Sequence, residues 1–218
     1  MFPKAIQYTL SKMNNNIVFN EELHEYRVGG ILTPSVSHIL QANGLMDNFR
    51  HNETALSNGS AIHKALELHD KGILDTTDLD PRLKKCILLW ENFKKSVGIK
   101  IVSEVEKQVN YGVLFAGTID RVVELNTGKS MILDFKSGNP QAWSALQTAG
   151  YALAYDPRNF MNYERCCVKI HWDNDRAIYK PYHDKNDYNT FLAMATVYHW
   201  RKNNGYLREE QKNEYRNN

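Results

Sequence analysis

One short stretch, Met131-Ile132-Leu133-Asp134-Phe135-Lys136, limits what this chain can fold into more than any other. Its apolar content reads as a buried β-strand. Side chains alternate along a strand, so Met131, Leu133 and Phe135 share one face and Ile132, Asp134 and Lys136 the other. A carboxylate and an ammonium therefore sit together on a strand that is otherwise apolar on both sides. Burying either ion alone costs several kcal/mol. The two must be paired, bound to a metal, or placed at the mouth of a cleft.

The preceding run, Gly117-Thr118-Ile119-Asp120 followed by Val122 and Val123, predicts a second strand, and Asn126-Thr127-Gly128-Lys129 the turn between them. Asp120 falls near the middle of that strand, where a carboxylate again needs a partner. Gly117 and Thr118 predict a bend or a close backbone approach just before it. The acid-x-Lys triplet alone is weak, because Glu210-Gln211-Lys212 repeats it in the polar tail. Its placement on an apolar hairpin with Asp120 gives it weight.

The rest of the chain predicts alternating elements. Ile17–Asn20 and Tyr26–Val28 read as a short hairpin ended by Gly29-Gly30. Thr33 then reads as an N-cap, with Pro34 opening a helix that runs to about Ala42. Asn58-Gly59-Ser60 precedes a helix over Ala61–Asp70 carrying His63 and Glu67, and Pro81–Ser96 forms another. Ile99–Val109 alternates as a strand, with Glu104 and Glu106 on one face. Pro140-Gln141-Ala142-Trp143 opens a helix to Tyr155 on which Gln147 and Tyr151, four apart, share a face. Glu164–Trp172 and Ala177–Tyr182 read as strands, and Asn186–Trp200 as the closing helix.

Composition bounds the function. With 218 residues, 42% hydrophobic and 24% charged, the chain can bury one large α/β or α+β core. The expected organisation is a single domain over 1–205, with an N-terminal arm at 1–50 and a polar, fraying tail at 206–218. No run reaches membrane length and no secretory segment follows Met1, so a cytoplasmic setting and no membrane partner are expected. A net charge of +2 is too small for bulk polyanion binding. Cys86, Cys166 and Cys167 make neither a zinc framework nor a disulfide set, and read as small core residues. Asn126–Ser130 ends like a phosphate-binding Walker loop, but Val123 stands where its leading glycine belongs. ATP is therefore not expected.

Four segments in order, Gly59-x-x-x-His63-x-x-x-Glu67, Gly117-Thr118-Ile119-Asp120, Ile132-Leu133-Asp134-Phe135-Lys136 and Gln147-x-x-x-Tyr151, resemble the PD-(D/E)XK nuclease superfamily, and more closely its RecB-type, phage-type exonuclease branch. The resemblance implies a central mixed β-sheet flanked by helices, a restriction-endonuclease-like core. It implies a metal-dependent DNA exonuclease in recombination, replication or repair, and the missing Walker glycine with a compact single domain adds independence from ATP and a viral setting. By it, His63, Asp120, Asp134 and the carbonyl of Phe135 hold Mg²⁺ or Mn²⁺, and Lys136 stands beside the metal as the catalytic amine. Gln147 and Tyr151 line the cleft and contact the DNA backbone or orient the site. Glu104 is open between a place near the metal and a solvated strand face. The iron-sulfur cluster of some branch members needs four cysteines, and three here cannot supply it. DNA is the expected partner, with a single-strand-annealing or single-strand-binding protein beside it. A structure- or site-specific endonuclease on the same scaffold and a catalytically idle nucleic-acid-binding protein are the other readings.

Overall fold

The computed structural model describes residues 16–46 and 53–207. Residues 1–15 and 47–50 of the expected arm and 208–218 of the expected tail lie outside the described residues. A three-stranded antiparallel sheet comes first: β1 (Ile17–Asn20), β2 (Glu25–Val28) and β3 (Ile31–Thr33). Gly29 and Gly30 follow directly on the end of the β1–β2 hairpin at Val28, but the chain then adds a third strand. Both have positive φ, 57° and 82°, and form the two-residue turn that leads into β3. Thr33 is thereby kept in a strand, so it cannot cap a helix. Ser35 does so instead, its hydroxyl accepting from the His38 amide at 3.0 Å ahead of α1 (Val36–Ala42).

Helix α2 (Glu53–Asp70) begins earlier than Asn58 would suggest. Gly59 lies inside it and serves close packing, since a Cβ there would come 2.9 Å from Ser137 Oγ. Helix α3 (Pro81–Val97) has Asp80 as N-cap, Pro81 in its first turn and a left-handed Gly98 at its end.

The main sheet is five-stranded and mixed: β4 (Ile99–Asn110), β5 (Ala116–Leu125), β6 (Ser130–Lys136), β7 (Glu164–Lys169) and β8 (Ile178–Tyr182), in that spatial order. Only β6 and β7 run parallel, joined by α4 (Ser144–Tyr155) and a short 3₁₀ turn (Phe160–Asn162); α5 (Asn186–Asn203) closes the chain. The strand that most constrained the sequence, β6, is thus central and covered on both faces. Ile132 packs with Val36, Leu40, Ala149 and Phe191 of α1, α4 and α5. Met131, Leu133 and Phe135 pack with Leu66, Trp90 and Phe93 of α2 and α3. This is the mixed sheet flanked by helices that the motifs implied. The three cysteines are free and buried. Among the described residues no helix is long and apolar enough to cross a membrane.

Candidate active site

The site forms where two strands part. The β5–β6 ladder runs from Glu124–Ser130 to Arg121–Leu133 and stops. Beyond it, the Asp120 carboxylate takes the place of a backbone carbonyl and accepts from the Phe135 amide at 2.6 Å. The parallel β6–β7 ladder continues to Lys136–Lys169, so β6 keeps its support on one side while it opens on the other. Asp120 and Asp134 stand at that opening. At Gly117 a Cβ would come 2.8 Å from the Tyr151 ring, the close approach expected before Asp120.

Other elements converge on the gap. From α2, His63 Nδ1 lies 3.7 Å from Asp120 Oδ2. Lys136 Nζ lies 2.6 Å from Asp134 Oδ2 and donates to Gln147 Oε1 at 2.8 Å. Gln147 Nε2 donates in turn to the Tyr151 hydroxyl at 3.0 Å and Ser37 Oγ at 3.4 Å. Trp143 covers the amine, its ring centre 5.2 Å from Nζ. The cleft, about 580 Å³, is lined by His63, Asp120, Asp134, Phe135, Lys136, Gln147 and Tyr151 together.

Its electrostatics are those of crowded, buried charge. Burial raises the Asp120 carboxyl, and Asp134 adds to this against the opposing pull of His63, the Phe135 amide and Lys136. Burial pulls the Lys136 amine down, but Asp134, Cys167 and Asp120 outweigh it and hold the ammonium above its usual range. Burial also drives the Tyr151 phenol well up, keeping it neutral and able to donate.

Glu106 lines the cleft and Glu104 does not. Simple alternation groups both on one face of β4, but a left-handed φ of 51° at Glu106 breaks the pattern between them. Glu104 pairs with Lys107 at 3.0 Å. Burial, then Asp120, pushes the Glu106 carboxyl up to about 7, with Arg121 opposing. Arg121, wholly buried, ties the site together from behind. Its Nε donates to Asp70 at 2.6 Å, and its Nη1 to Glu106 at 3.2 Å and to the Asp120 carbonyl. Among the described residues its Nη2 is buried without a hydrogen-bond partner. A charge inside the run Ile119–Val123 was the available signal for Arg121; nothing in the sequence announced the backbone turn at Glu106.

Residues 36–187 match the sequence profile of the PD-(D/E)XK nuclease superfamily, more than half of the chain. This chain belongs to that superfamily. No curated protein matches it in sequence. PD-(D/E)XK nucleases work with divalent metal ions, typically Mg²⁺ or Mn²⁺, and the donors here fit such ions: two buried carboxylates whose mutual repulsion a cation would relieve, with an imidazole beside them. Their ligating atoms are not drawn into one tight cluster, because Asp120 is turned to the Phe135 amide and Asp134 to Lys136. Among the described residues, His69, Asp70 and Glu91 do gather within 4.8 Å. Lys94, 2.7 Å from Glu91, and Arg121, 2.6 Å from Asp70, already neutralise that group.

Proposed function

We propose that the chain is a metal-dependent DNA exonuclease acting without ATP, in viral recombination, replication or repair, from a single cytoplasmic domain. One observation carries the catalytic part: Lys136, held by Asp134 and Gln147, sits at the opening between β5 and β6 with Asp120 and His63. A divalent ion held by His63, Asp120, Asp134 and the Phe135 carbonyl would supply a water of lowered pKa and neutralise charge on the phosphate. Lys136 carries three N–H donors. It presents positive charge to the scissile phosphate and orients the attacking water. Gln147 fixes the direction of that amine, and Tyr151 fixes Gln147. His63 keeps Asp120 in place. The exonuclease reading, and a single-strand-annealing or single-strand-binding partner, are supported by the order of the motifs, which resembles the RecB-type branch.

Digestion of end-labelled linear DNA and covalently closed circles, with Mg²⁺ or Mn²⁺ and without nucleotide, tests this. Linear strands are expected to shorten from their ends, circles to survive, and EDTA to stop the reaction. Cutting of closed circles would favour the endonuclease reading. Intact DNA in every lane would leave an idle binding protein.

A further inference from the structure

The cleft has an aromatic bank on each side of the carboxylates, and the proposed phosphodiester chemistry uses neither. On the β5 side, the three-stranded sheet brings Phe19 and Tyr26 face to face, their centroids 4.5 Å apart, with His24 edge-on to Phe19 at 5.1 Å. Tyr26 pins this platform beside the site, sharing a 2.8 Å hydrogen bond with Thr118, two residues before Asp120. His24 is exposed at the tip of the β1–β2 turn at a left-handed φ of 49°. On the β6 side stands half-buried Trp143, over Lys136. Phe19, His24, Tyr26 and Trp143 all line the same cleft.

Aromatic faces flanking a phosphate-directed amine suit one kind of ligand. A base can lie on such a face only when it is out of a duplex stack, and each base stacked this way is worth about 1–3 kcal/mol. Phosphate recognition alone would need charge and hydrogen-bond donors, not the three rings of Phe19, His24 and Trp143 that keep exposed surface here. The cleft volume of about 580 Å³ falls within the roughly 300–1,000 Å³ of small-ligand sites, room for one nucleotide out of its stack.

We propose that Phe19, His24 and Trp143 form a base-binding slot that takes an unstacked nucleobase next to the scissile phosphate, making single-stranded DNA the substrate. The slot rests on the nuclease reading of the adjoining residues, and its test separates the two.

Binding is measured by fluorescence anisotropy in Ca²⁺ with the full chain and three labelled probes: a thymidine oligonucleotide, the same strand with abasic residues, and a duplex closed by hairpins at both ends. The wild-type protein is expected to prefer the oligonucleotide. Phe19→Ala and Trp143→Ala should each weaken it about tenfold, Trp143→Phe should recover most of that loss, and the abasic strand should bind wild type and variants equally weakly. The abasic comparison needs no variant to fold. Equal binding of base-bearing and abasic strands, or tighter binding of the closed duplex, would overturn the slot. Cleavage in Mg²⁺ or Mn²⁺ is scored on the same strands. Cleavage without base dependence sinks the slot alone, whereas base-dependent binding without cleavage sinks the nuclease reading and leaves the slot standing.

Discussion

Asp120→Asn is expected to cut metal-dependent DNA cleavage about a thousandfold or more while making the metal-free protein more stable. The loss follows from removing a carboxylate at the centre of the site, worth several kcal/mol of transition-state stabilisation at about 1.36 kcal/mol per tenfold in rate. The gain follows from the cost of keeping that carboxylate ionised. Burial raises the Asp120 carboxyl and Asp134 raises it further. An acid raised on folding contributes stability below its unfolded pKa and loses it as pH rises through its folded value. At neutral pH the charged form therefore works against the fold. Asparagine is uncharged throughout and keeps an oxygen to accept from the Phe135 amide, now bonded at 2.6 Å. Thermal melts in EDTA should show the D120N variant above wild type at pH 7, with the gap closing as pH falls. A variant that melts lower at pH 7, or still degrades DNA, would contradict this account of Asp120.

Arg121→Ala is expected to cost about 3–5 kcal/mol of stability, the usual penalty for leaving a buried charge without its partner. Asp70 has a side chain only 1% exposed. It accepts from Arg121 at 2.6 Å and from Trp90 Nε1 at 2.9 Å, with the Lys94 ammonium farther off at 3.5 Å. Removing the guanidinium also strips Glu106 of its counter-ion and takes a cation from the Phe135 ring, 5.1 Å away. The combined change Asp70→Asn with Arg121→Met should cost less than the sum of the two single changes, because neither ion is left alone. Urea denaturation of the wild type, Arg121→Ala, Asp70→Asn, Arg121→Met and the double variant measures both the loss and the coupling. Additive losses would mean that the pair is not coupled.

The parts of the site that could be read from the sequence are those where local pattern and packing agree. Asp134 and Lys136 lie on one face because β6 is a regular strand, and Gln147 and Tyr151 meet because α4 is a regular helix. What could not be read depends on departures from regularity. The stop in the β5–β6 ladder is visible only once Asp120 is seen to bond the Phe135 amide. Glu106 reaches the cleft through a left-handed residue that no composition rule places in mid-strand. The third strand of the small sheet was hidden because Gly29-Gly30 signals a turn equally well at the end of a hairpin and within a meander. Gly59 looked like a helix start and proved to be a contact with Ser137 inside the helix.

His63, Asp120 and Asp134 are proposed to share one divalent ion beside Lys136. Calorimetric titration of Mn²⁺ into the wild-type protein and the His63→Ala, D120N and His69→Ala variants tests it most directly. His63→Ala and D120N are each expected to weaken binding at least about tenfold, and His69→Ala to leave it unchanged. Undiminished Mn²⁺ binding in D120N, or its loss in His69→Ala, would place the metal elsewhere and contradict the assignment.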